Sequence, residues 1–250
     1  MEKGKITQVK NILQSTIFSA KKLFDSLIAK VHFLDPKDNT KQRVVTALIL
    51  IPIALYAIFY SKSLFLFLVV VITIIMTSEW LDMIKDAKDQ TKWRLIGLAY
   101  IAIPIYSVIK IRLYDADILF WMFSIIWVTD IFAFFTGRIL GGAKLAPDIS
   151  PNKTWSGLGG GVLASMVMGL FSAFMFSGGV FFFILISALL SVLEQASDLL
   201  ESKFKRIFGI KDSGNIIPGH GGVLDRLDGM MLVAPAVLLI ITVFSDKFGI

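Results

Sequence analysis

Long apolar runs recur along this chain, and they constrain its fold more than any other feature of the sequence. Of the 250 residues, 56% are hydrophobic and 21 are phenylalanine, which is far from the composition of a soluble globular domain. A helix needs about 20 apolar residues to cross a bilayer. Candidate runs lie at 44–60, 64–84, 94–109, 116–137, 156–176, 179–200 and 229–245. The sequence therefore predicts an all-α, polytopic transmembrane helical bundle of about seven spans; six to nine are compatible, because the run at 94–109 is short and holds Pro104.

Residues 1–43 differ from the rest of the chain because they are polar and carry nine lysines or arginines. Apolar residues recur there roughly at helical spacing, which predicts a basic, amphipathic segment on the cytoplasmic membrane surface, not a cleavable signal peptide. A solvated tail is the alternative reading, since the spacing is imperfect. We therefore divide the chain into this N-terminal segment and a transmembrane domain at 44–250.

The distribution of basic residues predicts an orientation. With the N-terminus in the cytoplasm, the cytoplasmic segments hold 21 lysines and arginines and the opposite side holds four, as the positive-inside rule requires. A basic start without a cleavable leader fits a bacterial inner (plasma) membrane. The sequence has no cysteine and two histidines, which excludes a disulfide frame and a zinc site built from several histidines or cysteines.

One polar stretch, 202–228, lies between two apolar runs and gathers five basic residues and three aspartates. Glycines at 219, 221 and 222 allow positive φ and close approach of the backbone to a ligand. Asp225 and Asp228 are spaced i, i+3, which places both carboxylates on one helix face, where they can share a divalent cation such as Mg²⁺. The stretch thus predicts a cytoplasmic polar site for a polyanion at the membrane surface.

Acidic residues inside the apolar runs point to a polar cavity open to the cytoplasm, because charged side chains are costly in a bilayer. These residues are Glu79, Asp130, Glu194 and Asp198. Glu194, Asp198 and Glu201 follow i, i+4, i+7 spacing and share one face of the sixth helix. The alternative is that such acids pair with basic residues and only orient the helices.

The stretch 202–228 resembles the signature of the phosphatidate cytidylyltransferases, also called CDP-diacylglycerol synthases. The resemblance rests on Lys205-Arg206, Lys211-Asp212, the Pro-Gly-His-Gly-Gly run at 218–222 and the Asp-Arg-Leu-Asp run at 225–228. Gly137-Arg138, Asp130 and the run at 149–154 also resemble family segments, so the resemblance covers roughly 127–229. Ser156 stands where the family usually has glutamate and Ser197 where it usually has glycine, which leaves room for altered substrate handling or a weakened enzyme.

The resemblance implies a transfer of CMP from CTP to phosphatidate, giving CDP-diacylglycerol and pyrophosphate. It implies Mg²⁺, with room for a second cation, held by Asp198, Asp225 and Asp228. The residues expected to act in catalysis are Asp198, Asp225, Asp228, Lys205, Arg206 and Lys211. Those expected to bind substrate are Lys153, Asn152, Ser150, Gly219, His220, Gly221, Gly222 and Arg226. For His220, a structural role is an equal alternative to substrate binding.

Three other functions share some of these features. A CTP-dependent polyprenol or phytol kinase would also need a basic, metal-dependent loop on a multispan body. A secondary transporter would place ion-binding acids near the midplane, whereas the charges here crowd one face. An inactive scaffold is the third. The expected partners are CTP, phosphatidate and the lipid bilayer, with a homodimer suggested by related enzymes and no nucleic acid expected.

Overall fold

The computed structural model describes residues 39–176, 178–214 and 221–249, and most of these residues are helical. The elements in chain order are α1 (Asn39–Phe59), α2 (Lys62–Met83), α3 (Gln90–Tyr114), α4 (Ala116–Leu140), β1 (Lys144–Ala146), β2 (Ser150–Thr154), α5 (Trp155–Met175), α6 (Val180–Ile207), α7 (Leu224–Leu227), α8 (Met230–Val243) and α9 (Ser245–Phe248). The helical bundle predicted from the apolar runs is therefore present. Most of the amphipathic segment predicted at 1–43 lies outside the described residues, which begin at residue 39.

Five helices in the described part of the chain, α2 to α6, are long and apolar enough to cross a membrane. The first and last predicted spans correspond to shorter apolar helices at Leu48–Phe59 and Met230–Val243. The 14 residues of α8 are about 21 Å long, against a hydrocarbon core of about 30 Å. The chain is thus a helical membrane protein with five candidate spans, and the count of about seven stays a prediction.

Helix α3 is longer than the apolar run from which it was predicted. It comprises 25 residues and keeps Pro104 inside. Its first turn is polar and is capped by Asp89, whose side chain accepts a hydrogen bond from the N–H of Lys92 at 3.0 Å. The short run at 94–109 therefore underestimates the helix, because polar first and last turns do not register as apolar.

Small residues bring α4, α5 and α6 close together. A Cβ atom added at Gly169 of α5 would lie 2.5 Å from the carbonyl oxygen of Phe183 on α6. One added at Gly157 would lie 2.8 Å from the carbonyl oxygen of Ala133 on α4, whereas one at Gly159 would meet nothing within 4 Å. Glycine is thus required at the first two positions for helix approach, as expected for packing inside a membrane.

Aromatic side chains fix the end of α6 against α2 and α3. The Phe204 ring centroid lies 5.2 Å from that of Trp80 and 5.3 Å from that of Tyr100. Phe208 packs edge-on against Trp93 at 4.8 Å. Consequently α6 continues past its apolar run, and the first residues of the polar stretch are helical.

The loop between α4 and α5 contains a short antiparallel hairpin, so the fold is not purely α-helical. Lys144 pairs with Thr154, and Ala146 pairs with Ser150. The Thr154 hydroxyl caps α5 by accepting the Gly157 N–H at 3.1 Å. This cap fixes β2 to the end of a membrane helix and brings Lys153 to the face of α6.

Candidate active site

The three acids predicted on one face of α6 lie on its polar side. Glu194 and Glu201 are 1% and 0% exposed. The side-chain amide of Gln195 donates to the Glu194 carboxylate at 2.9 Å. Asp198 is partly open and accepts a weak hydrogen bond from Ser202 at 3.3 Å. The helix therefore carries a buried acidic row that runs toward the signature stretch.

Lys153 on the hairpin meets this acidic row. Its Nζ lies 2.5 Å from Asp198 Oδ2 and donates to Gln195 Oε1 at 2.8 Å. The side chains of the ion pair are 16% and 24% exposed, so water screens the pair only in part. Two residues predicted to act on substrate are thereby brought into direct contact.

A polar cavity of about 590 Å³ opens beside this ion pair, between the hairpin, α4, α5 and α6. Its walls include Arg138, Lys144 and Lys153 as cations and Asp130 and Asp198 as acids. Asn152 and Thr154 line the same cavity. An anion with several charges would meet three cations there, and a divalent cation would meet two carboxylates.

Asp225 organises the signature stretch. Its Oδ1 accepts from Lys205 Nζ at 2.7 Å, and its Oδ2 accepts the N–H groups of Ser213 and Gly222, each at 2.9 Å. Burial raises the pKa of Asp225, but the hydrogen bonds from Lys205 and Gly222 outweigh that effect and lower it below the ordinary value. The Asp225 carboxylate is therefore ionised and joins the end of α6 to both sides of the polar loop.

Lys205 is held between two acids. It pairs with Asp225 and also lies 3.2 Å from Glu201 Oε1 on the preceding turn of α6. Its side chain is 11% exposed. This position keeps the charge of Lys205 between two acids of the site and away from open solvent.

Asp228 follows α7 and lies close to the acids of α6. Burial, and next the neighbouring carboxylate of Asp198, raise the pKa of Asp228 to about 7. Its Oδ1 accepts the N–H of Gly229 at 2.8 Å. The Ser197 hydroxyl donates to the backbone carbonyl of Asp228 and accepts the Leu232 N–H at 3.2 Å. Ser197, one of the departures from the family pattern, thus ties α6 to the start of α8.

The remaining predicted residues have varied surroundings. Exposed Arg206 donates to the carbonyls of Ile149 at 3.2 Å and Ile210 at 3.0 Å, which links the hairpin turn to the residues after α6. Lys211 is exposed, and Ser150 lies half-buried at the start of β2. Gly221 has φ of 83°, as predicted for this glycine turn, and Arg226 is exposed on α7 and lines an apolar cavity. Gly219 and His220 lie outside the described residues.

The other departure, Ser156, also makes contacts. Its hydroxyl donates to the carbonyl of Gly141 and lies 3.0 Å from the Thr154 hydroxyl. These bonds tie the start of α5 to the residue that caps α4. A glutamate here would replace this short bridge with a longer, charged side chain.

The acids have the chemistry that a magnesium ion prefers, because carboxylate oxygens are hard ligands. Both carboxylate oxygens of Glu201 are buried, and Lys205 Nζ lies 3.2 Å from Oε1. However, among the residues described, no three acids or histidines stand together as a group that could hold a metal ion. Lys153 and Lys205 supply counter-charge to Asp198 and Asp225. The donor set fits the ion in type, and Asp198, Asp225 and Asp228 stay a predicted ligand set.

Two residues at the site were not predicted to act there. Gln195 holds Lys153, and only its i, i+3 spacing from Asp198 on the same helix face hints at this. Ser213 donates its N–H to Asp225, and its sequence carries no signal for that contact. Glu79 was predicted as an acid lining a cavity; it instead accepts the N–H groups of Val223 and Leu224.

Apolar helices and a site that gathers cations and acids between α4 and α6 define a helical membrane protein with a charged site. The family model described as the cytidylyltransferase family matches residues 41–109 and 91–244. The chain belongs to this family, which confirms the resemblance seen in the sequence.

Similar proteins agree with this assignment. Phosphatidate cytidylyltransferase of Rickettsia bellii is 43% identical over 215 residues, which cover 82% of this chain and 91% of that protein. The Rickettsia felis protein of the same name is 40% identical over 222 residues, covering 84% and 96%. The Brucella abortus protein of that name is 40% identical over 187 residues, covering 72% of this chain and 66% of its own length.

Proposed function

We propose that the chain transfers CMP from CTP to phosphatidate, giving CDP-diacylglycerol and pyrophosphate for phospholipid synthesis. Family membership and the names of the similar proteins support this assignment. The structural observation that carries it is the meeting of Lys153 with Asp198 beside a cavity lined by three cations. That arrangement suits two anionic substrates at the end of a membrane helix bundle.

The reaction needs positioning and charge neutralisation more than a protein nucleophile. A phosphate oxygen of phosphatidate attacks the α-phosphorus of CTP, and the bond from that phosphorus to the β-phosphate bridge breaks as pyrophosphate leaves. The attacking oxygen is already anionic at neutral pH, so no serine or cysteine is required. Arg138, Lys144 and Lys153 lie where they would neutralise the phosphates and orient them in line.

A bound cation would complete the charge balance. Asp198, Asp225 and Asp228 are the residues we propose to hold Mg²⁺, with a second cation compatible with the neighbouring acids. When bound, Mg²⁺ would withdraw charge from the phosphate oxygens and the leaving pyrophosphate. Lys153 and Lys205, which pair with Asp198 and Asp225, would supply positive charge beside these ligands.

An apolar cavity offers a place for the lipid chains. It has a volume of about 290 Å³ and is lined mainly by aliphatic and aromatic side chains of α1, α2 and α4. Asp130, Arg226 and Asp228 also line it. We propose that an acyl chain of phosphatidate occupies this cavity, so that its headgroup reaches the acids and lysines beyond.

The proposed orientation follows from the basic residues. The N-terminus and the active site face the cytoplasm, where CTP is available, and α1 and α8 complete a set of seven spans in a bacterial inner membrane. A homodimer is the expected assembly.

A direct assay tests the proposal. Purified protein in detergent is incubated with phosphatidate, CTP labelled at the α-phosphate, and Mg²⁺. We expect label to enter the lipid fraction with release of pyrophosphate, and EDTA to stop the transfer. In a parallel incubation with polyprenol or phytol in place of phosphatidate, a kinase would instead phosphorylate the alcohol and leave labelled CDP in the aqueous phase, which would overturn the assignment.

A further inference from the structure

Glu79 is a buried carboxylate that the mechanism proposed above leaves unused. It lies near the end of α2 and is 3% exposed. Its Oε1 accepts the N–H of Val223 at 2.9 Å, and its Oε2 accepts the N–H of Leu224 at 2.8 Å. The Ser213 hydroxyl lies 3.4 Å from Oε2. Each oxygen thus satisfies a backbone donor of the signature stretch.

Two glycines of the signature stretch lie against the same carboxylate. A Cβ atom at Gly214 would stand 2.7 Å from Glu79 Oε1, and one at Gly222 would stand 2.8 Å from it. Residues 213–214 and 221–224 therefore converge on one side chain from both sides of segment 215–220. Side chains at these two positions would displace Glu79. The contact therefore depends on glycine at both positions.

Asp225 binds the same two parts of the chain. It accepts the N–H groups of Ser213 and Gly222, and it also pairs with Lys205. Glu79 and Asp225 together form what we call the carboxylate clip. Glu79 supplies the connection to α2, and Asp225 supplies the connection to α6.

We infer that Glu79 is a positioning residue for CMP transfer: it holds residues 221–225 in place and thereby sets the position of Asp225 and Lys205. The inference rests on the proposed role of that segment in binding phosphate. Glutamine cannot replace glutamate here, because its NH₂ group would face one of two backbone N–H donors. Loss of either bond would weaken the attachment of the segment to α2.

The test compares Glu79→Gln with Asp82→Asn, an exposed acid one turn further along α2. In Glu79→Gln we expect the KM for CTP to rise roughly ten- to a hundredfold, as for other residues that orient ligand-binding groups without touching the ligand. A smaller folded fraction would lower the maximal rate without changing the KM. Asp82→Asn should keep the kinetics of the parent protein.

Hydrogen exchange provides a second measurement that does not require substrate. The amides of Val223 and Leu224 should lose protection in Glu79→Gln and keep it in Asp82→Asn. Unchanged protection, or a fall in rate with an unchanged KM, would overturn the inference. Because exchange is read without turnover, failure of the proposed reaction and failure of the clip are distinguished.

Gly214→Ala tests the same contact from the loop side and leaves α2 intact should Glu79→Gln fold poorly. Its Cβ would press on Glu79 Oε1. We expect the KM for CTP to rise and the two amides to lose protection. Unchanged values for both would count against the inference.

Discussion

At the scale of single residues, the site depends on lysines placed between acids. Lys153 reaches Gln195, 42 positions away in sequence, and the same ammonium group pairs with Asp198. A hydrogen bond to a charged group contributes about 1.5–3 kcal/mol when it is shielded from water. Removing Lys153 would therefore leave Asp198 without its main counter-charge and would also take one cation from the cavity.

Lys153→Met should lower kcat/KM for CMP transfer by roughly a hundredfold or more, because a preorganised charge is lost next to the reacting phosphates. Rates measured with varied CTP and phosphatidate check this. Lys62→Met, which removes an exposed lysine at the start of α2, is the matched control and should be silent. Equal activity of the two variants would show that Lys153 has no part in the reaction.

Asp228→Asn should reduce the rate by roughly a hundredfold and raise the Mg²⁺ concentration needed for half-maximal activity, because one oxygen ligand is weakened. A Mg²⁺ titration of labelled CMP transfer measures both effects. Asp246→Asn is the control, since that carboxylate is exposed and pairs with Lys247 at 2.9 Å. An unchanged Mg²⁺ requirement in Asp228→Asn would remove Asp228 from the ligand set.

At the scale of elements, the contacts of α5 with α4 and α6 determine the shape of the cavity beside Lys153 and Asp198. Gly157 and Gly169 allow α4 and α6 to approach, and Gly159 faces open space on the same helix. This helix also begins at the Thr154 cap, so a shift of α5 would move the hairpin that carries Lys153. Packing of α5 is therefore coupled to the position of a charged side chain at the site.

Gly169→Ala should destabilise the protein in detergent, lowering the midpoint of thermal unfolding by roughly 3–10 °C, because overpacking costs about 1–3 kcal/mol. Gly159→Ala, where a Cβ meets nothing within 4 Å, should leave the midpoint unchanged or slightly higher. Thermal unfolding of the two purified variants provides the comparison. Equal midpoints would mean that the α5–α6 contact is looser than described.

At the scale of the whole molecule, the open matter is how many helices cross the membrane. Residues 88 and 247 lie on either side of α3, α4, α5, α6 and α8. They face opposite sides if α8 crosses and the same side if it does not. This parity tests whether α8 is one of the predicted spans.

The cysteine-free sequence allows that observation by single-cysteine labelling. In spheroplasts, an impermeant maleimide should label Lys247→Cys directly and Lys88→Cys only after the membrane is permeabilised. The cysteine-free parent is the blank. Labelling of both positions from the same side would remove α8 from the set of spans.

The apolar runs predicted the helices because burial in lipid imposes a long, uniform pattern, and the signature predicted the family because it is local. The ends of the helices were harder to predict from the sequence. Lys203, Lys205 and Arg206 are charged yet helical, since Glu201 pairs with Lys205 one turn on and Phe204 packs on Trp80. Long-range partners such as Gln195 for Lys153, or Val223 for Glu79, could not be predicted, because no local pattern encodes which loop reaches which helix.

The contact of Glu79 with Val223 and Leu224 has a consequence for biogenesis. The acid precedes its backbone donors by 144 and 145 positions, so the ribosome delivers it to the membrane well before they exist. Until the last part of the chain arrives, this carboxyl lacks the two backbone donors that it binds in the folded protein. A polypeptide truncated before residue 223 would retain Glu79 without either of these backbone donors.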